Sequence, residues 1–298
     1  MSSQALSADS APTHSLGSDL LSLTKPRLSG LVLFTAAGGT WLARTATWQT
    51  WLFTLLGTAG TVAAANAFNC IWERESDKLM ARTANRPLPA GRLSVATAFK
   101  FATALTVISL PLLAIGVNLL TAALGLLALL SYVLVYTPMK SRTHWAMLVG
   151  AIPGALPPLM GWTAVTNRID LTGMALFGIL FFWQLPHFIA IALFRKEEYR
   201  AAGLHSVPLD FSDNTARLHA VGYLVALFFV SMVPALTRTV GLVYLLGAIG
   251  LGAHFMTVGL QGWWQKGDAR WAKRFFLVSL LYLVGLFLVA GLDSLLSR

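Results

Sequence analysis

Residues 101–139 read FATALTVISLPLLAIGVNLLTAALGLLALLSYVLVYTPM, a run of 39 positions without one Asp, Glu, Lys, Arg or His. One crossing of a ~30 Å hydrocarbon core takes roughly 20 apolar residues, so this run is too long for one helix and must turn back once. Gly116-Val117-Asn118 is the place to turn it. Apolar segments of the same kind lie on both sides. With the two halves of this run they give candidate spans at 28–43, 51–71, 95–115, 118–136, 145–163, 172–194, 219–237, 239–260 and 275–295. The expectation is an all-α polytopic membrane protein, about nine transmembrane helices in a single bundle enclosing a lipid-accessible cavity.

Composition agrees. The chain of 298 residues is 56% hydrophobic and 11% charged, where soluble domains run near 25% charged. The excess of Lys and Arg therefore reads as a topology signal and not as a nucleic-acid footprint. A single cysteine, Cys70, excludes an intrachain disulfide and a thiolate metal site. Residues 1–22 are rich in Ser, Ala and Thr and lack the apolar core of a signal peptide. They are expected to be a disordered cytosolic tail, with 23–298 forming the transmembrane domain.

Short connections set orientation. The tail and the connections after the second, fourth, sixth and eighth spans hold 17 Lys and Arg, against 4 on the other side. This places the N-terminus in the cytosol and the C-terminus across the membrane, in a cell (inner) membrane. Acidic residues do not follow that rule. Seven of the twelve fall in two cytosolic connections: Glu73, Glu75 and Asp77 in one, Glu197, Glu198, Asp210 and Asp213 in the other.

The first of these, residues 69–92, reads NCIWERESDKLMARTANRPLPAGR. Asn69, Glu73 and Asp77 recur every four residues, so on a helix they line one face. Two carboxylates and an amide are hard oxygen donors, suited to Mg²⁺ shared with substrate phosphates and water. Arg74, Lys78, Arg82, Arg86 and Arg92 are interleaved with them. A diphosphate wants both parts, metal to bridge its oxygens and cations around its rim. A solvated loop of mixed charge is the plainer alternative that spacing alone leaves open.

The pattern N-x-x-x-[DE]-x-x-x-D followed by RTANRPLPAG resembles the first Asp-rich motif of the UbiA-type intramembrane prenyltransferases, and the likeness runs from Lys25 onward. The resemblance implies that the acidic residues bind Mg²⁺ and, through it, an isoprenoid diphosphate. Glu73 stands where the family usually has Asp, and Cys70 where many quinone-pathway members carry an acid. Three further stretches, LTKPRLS (23–29), YTPMKSRTHWAMLVGAIPGALPPLMGW (136–162) and FFWQLPHFIAIALFRKEEYRAAG (181–203), resemble the branch of that family that farnesylates protoheme IX. That branch implies farnesyl diphosphate and heme B as substrates, addition of water, and heme O as product. It also implies coupling to a heme A synthase.

The residues suggest roles within that expectation. Asn69, Glu73, Asp77 and Glu198 are the catalytic candidates, and Glu197 with Glu198 is placed to hold a second Mg²⁺ or the far side of the diphosphate. Lys25, Arg27, Lys140 and Arg142 join Arg74, Lys78, Arg82 and Arg86 as diphosphate-binding cations. His187, inside a span, is the expected heme-iron ligand, with Gln184 one turn earlier to orient it or meet a propionate. His144, His205, His219 and His254 stay open as other ligands. Phe181, Phe182, Trp183 and Phe188 could wall an allylic cation. Two other functions remain: prenylation of an aromatic quinone precursor such as 4-hydroxybenzoate, and a secondary transporter.

Overall fold

The computed structural model describes residues 15–296, and among them every regular element is helical. A short helix α1 (Leu16–Leu23) leads into α2 (Pro26–Leu42) and the long α3 (Trp48–Trp72), which continues into one turn, α4 (Arg74–Asp77). After a 17-residue connection come α5 (Val95–Gly116) and α6 (Leu119–Leu130). Helix α6 runs on through a π-helical stretch, Ser131–Tyr136, into α7 (Thr137–Met139). Then follow α8 (Ala146–Thr166), α9 (Leu171–Phe194), α10 (Lys196–Ala201), α11 (Val207–Asp210), α12 (Asp213–Val230), α13 (Val233–Leu236), α14 (Leu242–Trp264) and α15 (Ala269–Leu296). Eight of these helical units are long and apolar enough to cross a membrane. Helix α2, at 17 residues, is about 25 Å long, so the count of eight comes close to the nine expected.

Starts and stops follow local chemistry. Ser15, Thr47, Ser94, Asn118, Asp170 and Ser212 each accept a hydrogen bond from the backbone N–H three residues on, capping α1, α3, α5, α6, α9 and α12. The Gly116–Asn118 turn is where it was expected. Asn118 also donates its amide to the Thr163 carbonyl at 2.8 Å, tying that turn to the end of α8. Two spans begin earlier than hydropathy suggested. The segment expected at 219–237 starts at Asp213 behind the Ser212 cap, and that expected at 275–295 starts at Ala269. Hydropathy marks where the membrane lies; caps mark where the helix begins.

Residues 16–22 correct an expectation. Instead of a disordered tail they form most of α1, whose Asp19 is buried and lies 3.3 Å from Arg92 across the bundle end. Residues 1–14, the rest of that tail, lie outside the described residues.

Helices α8 and α9 are the most buried and pack on each other, α8 also against α2 and α9 against α12 and α15. Small residues allow the closest approach. A Cβ on Gly161 would overlap the Ala36 carbonyl, and one on Gly39 would overlap that of Pro158, so α2 and α8 touch backbone to backbone. In contrast α5 keeps Val107, Ile108 and Ile115 exposed, as a lipid-facing helix should.

Candidate active site

The Asn69–Glu73–Asp77 face sits where α3 ends. The helix breaks at Glu73 (φ −85°, ψ 2°) instead of running on, yet the i→i−4 bonds Glu73 N to Asn69 O (2.9 Å) and Asp77 N to Glu73 O (2.8 Å) carry the register through. Each member of the triad meets one cation. Lys25 Nζ donates to Asn69 Oδ1 at 2.6 Å, Lys140 Nζ to Glu73 Oε1 at 2.7 Å, and Arg86 to Asp77 Oδ2 at 2.7 Å.

Those cations arrive by specific local devices. Lys25 occupies the left-handed region (φ 50°), unusual for a side-chain-bearing residue, immediately before Pro26 opens α2. Lys140 follows the π-helical turn, whose wider winding brings Tyr132, Tyr136 and Lys140 to the same cavity. Its ammonium lies 5.1 Å over the Tyr136 ring. Thr137, which opens α7, accepts from the Asn69 amide at 3.2 Å. Arg86 sits on a stapled connection: the Thr83 hydroxyl donates to the Asp77 carbonyl at 2.8 Å.

Electrostatics follow from this crowding. Burial pushes the Lys25 ammonium below its ordinary value, only partly offset by Cys70 and Glu73. Burial alone would raise the Glu73 carboxyl, but Lys140 and Lys25 outweigh it and hold the group below the usual carboxylate range. Lys140 is the converse: burial opposes its charge, yet Glu73 holds it well above the ordinary lysine value.

A cavity of about 940 Å³ opens beneath these pairs. Lys25, Arg27, Glu73, Asp77, Arg82, Arg86 and Lys140 line it at the basic end, and its inner walls come from α2, α3, α6, α8, α9 and α15. Small-molecule sites span roughly 300–1,000 Å³, so this one is large. Glycine makes part of the room: a Cβ on Gly150 would overlap the Tyr136 ring, and one on Gly154 would overlap Gln184.

Several expected residues fall elsewhere. Asn69 is fully buried and does not line the cavity; it acts behind the wall, between Lys25 and Thr137. Arg74 and Lys78 turn to Glu75, which stands on the exposed side of α4. Arg142 lies outside the lining. Glu197 and Glu198 also lie outside it, each paired with an arginine of its own segment, Arg200 and Arg195. The two glutamates expected to hold a second Mg²⁺ are thus not brought to the cavity beside Glu73 and Asp77; each pairs with an arginine three residues away, within α10 and its cap.

Other residues escaped the sequence reading. Asn66, one turn before Asn69, lines the cavity and donates to the Thr24 carbonyl at 3.1 Å. Its place on the Asn69 face was a signal in plain view. Tyr199 reaches the mouth only through the fold, and His205, left open above as a heme ligand, lines the cavity with it. The His205 backbone N–H donates to the Lys140 carbonyl at 3.0 Å, and Asp210 joins the rings of His205 and His144 at 3.0 and 2.9 Å.

Deeper in, His187 lines the cavity between two aromatic rings, Trp183 (centroids 4.7 Å apart) and Phe276 (4.6 Å). Its Nδ1 lies 2.7 Å from Ser279 Oγ on α15. Gln184 does not orient it. The Gln184 amide donates to the Ala151 and Leu180 carbonyls at 3.1 and 3.0 Å, leaving only its oxygen to accept from a ligand. Trp183 and Phe188 line the cavity, whereas Phe181 and Phe182 pack against the core.

The donor chemistry suits one Mg²⁺. Among the described residues no three His, Cys, Asp or Glu side chains converge. Glu73 and Asp77 therefore offer two carboxylates beside a basic cavity, and Mg²⁺ is commonly held by one or two carboxylates with substrate phosphates and water.

The description UbiA prenyltransferase family matches residues 31–281. A relative from Myxococcus xanthus named protoheme IX farnesyltransferase is 58% identical over 96% of this chain and 97% of its own. Among solved structures, a digeranylgeranylglyceryl phosphate synthase superposes with TM-score 0.80 at 16% identity, over 93% of this chain and 97% of that one. A UbiA homolog from Archaeoglobus fulgidus bound to DMAPP and Mg²⁺ gives TM-score 0.66 at 18% identity, over 91% of this chain and 99% of that one. At such identities the structures speak for the fold, while the sequence match sets aside the transporter reading. The chain belongs to the UbiA prenyltransferase family.

Proposed function

We propose that this prenyltransferase moves a farnesyl group from farnesyl diphosphate to a vinyl carbon of protoheme IX, that water then adds, and that heme O is the product. The observation that carries this reading is one cavity with two unlike ends: lysines and arginines around two carboxylates at its mouth, and an imidazole held between aromatic rings inside. The name of the Myxococcus xanthus relative supports the choice of acceptor.

Glu73 and Asp77 would hold Mg²⁺, which when bound supplies positive charge to the diphosphate. Lys25, Arg27, Arg82, Arg86 and Lys140 surround the same oxygens and stabilise charge as it develops on the leaving group. The allylic C–O bond breaks with its electron pair passing to diphosphate. Tyr132, Tyr136, Trp183 and Phe188 offer π faces to the cation left behind and keep water off it. The vinyl π pair forms the new C–C bond, and water captures the porphyrin-stabilised cation with loss of one proton. The same reading puts the basic end of the bundle in the cytosol of a cell with this protein in its inner membrane.

Detergent-purified protein incubated with heme B and farnesyl diphosphate, with Mg²⁺ or with EDTA, tests this by mass spectrometry of the extracted heme. The expected product gains farnesyl plus the elements of water, only with Mg²⁺. An unchanged heme alongside prenylated 4-hydroxybenzoate would overturn the acceptor.

A further inference from the structure

His187 presents a ring whose protonation pattern can be worked out from its neighbours. Ser279 Oγ lies 2.6 Å from the Phe276 carbonyl and 2.7 Å from His187 Nδ1. A serine hydroxyl has one proton to give, and a carbonyl can only accept. Were that proton directed at His187, two oxygens would face each other lone pair to lone pair at 2.6 Å. The proton therefore lies on the line to Phe276, and Ser279 Oγ accepts from His187. Nδ1 then carries the hydrogen of the neutral ring, and Nε2 is left with its lone pair.

The surroundings preserve that arrangement. No carboxylate pairs with the ring, and among the described residues its hydrogen bond is made at Nδ1, to Ser279. Trp183 and Phe276 lie 27° and 32° from the imidazole plane on either side, so the ring is fixed and its edge is what remains to meet a ligand. The Trp183 indole N–H donates to the Ser279 carbonyl at 2.6 Å. Ser279 thus holds the imidazole with its side chain and one of the sandwiching rings with its backbone.

We propose that Ser279 is a positioning residue that fixes His187 in the Nδ1–H form, so that Nε2 ligates the iron of the substrate heme. This rests on the heme-farnesylating reading above. A hydrogen bond from Nδ1–H to an acceptor raises the basicity of the ligating nitrogen and sets the ring orientation. Removing the serine hydroxyl should weaken the ligand without deleting it.

The test titrates the full chain in detergent with ferric heme, followed by visible absorption, and reads the iron–histidine stretch of the ferrous complex by resonance Raman. Wild type should give an axial-imidazole spectrum. His187→Ala should lose it and regain it with added free imidazole. Ser279→Ala should keep the imidazole spectrum, lower the iron–histidine stretch, and weaken heme affinity by about fivefold, the worth of one neutral hydrogen bond. Ser279→Cys, of similar volume and a poorer acceptor, should shift in the same direction, and Ser279→Thr should return toward wild type.

An unchanged stretch and affinity in both Ser279→Ala and Ser279→Cys, with the His187→Ala contrast intact, would overturn the serine's role and leave the proposed function standing. An imidazole spectrum that survives His187→Ala would overturn the ligand assignment. Wild-type protein that takes up no heme would remove this inference together with the reading on which it rests.

Discussion

Lys140 Nζ and Glu73 Oε1 lie 2.7 Å apart although 67 residues separate them in sequence. The pair ties the end of α3 to the turn before α8, and both side chains are largely shielded, at 29% and 14% exposure. Removing one partner leaves the other charged and poorly solvated. Glu73→Gln and Lys140→Met should each lower stability by about 2 kcal/mol, below the full cost of breaking a deeply buried pair. The double variant should recover part of that loss in thermal melts, while all three stay inactive. Strictly additive losses would mean that the pair contributes nothing to the fold.

Asp77 is almost completely buried and keeps one oxygen on Arg86. Asp77→Asn preserves shape and removes the charge that would hold Mg²⁺. It should cut kcat/KM for farnesyl diphosphate by roughly 10²–10³, the usual scale for losing one electrostatic partner of the transition state. Heme binding, followed by the same optical titration, should change less than about twofold (under 0.5 kcal/mol). Loss of heme binding with farnesyl diphosphate binding intact would refute the placement of the metal at this mouth.

Glu197 and Glu198 give a prediction of the opposite sign. Because both are engaged by local arginines outside the cavity, Glu197→Gln and Glu198→Gln should leave the Mg²⁺ dependence of turnover within about twofold of wild type, as for substitutions away from a site. A tenfold rise in the Mg²⁺ requirement for either would return them to the metal.

What the sequence discloses and what it conceals divide along physical lines. The 101–139 run discloses the helical membrane fold because length and charge suffice to count crossings. Spacing discloses the Asn69–Glu73–Asp77 face because a helix repeats locally, even across the break at Glu73. Whether a charged residue near that face points inward is tertiary: Arg86 does and Arg74 does not, and both look alike in the sequence. Ser279 is hidden for the same reason. Nothing local marks a serine in an apolar helix as the partner of an imidazole 92 positions earlier.

Gly161 and Gly154 lie about two turns apart on α8, and their substitution should have separable effects. A methyl at Gly161 meets the backbone of α2, which cannot rotate away. Gly161→Ala should therefore push the helices apart and cost about 1–3 kcal/mol, the range for overpacking. At Gly154 the obstacle is the end of the Gln184 side chain, whose amide holds the Ala151 and Leu180 carbonyls. Gly154→Ala should displace Gln184 into the cavity and raise KM for heme with a smaller change in melting temperature. Equal loss of stability in both, with KM unmoved, would contradict the separation.

Lys25 should set the alkaline limit of activity. On the proposed reading its ammonium is needed beside the diphosphate, and burial brings its pKa below the ordinary lysine value. In the free enzyme the charge is lost as pH rises through that lowered value, so kcat/KM for farnesyl diphosphate, which reports free-enzyme groups, should fall at lower pH than an ordinary lysine would dictate. Lys140 does not contribute to this limb, since Glu73 holds it charged well above the ordinary value. Glu73 sets no early acid limb either: with its pKa held below the usual range, its charge is present above that range and is lost only as pH falls through the lowered value. Lys25→Arg, whose guanidinium stays protonated throughout, should move the alkaline limb upward and leave the acid side in place. If the alkaline limb of Lys25→Arg coincides with that of wild type, the titrating group lies elsewhere and Lys25 is charged through the working range.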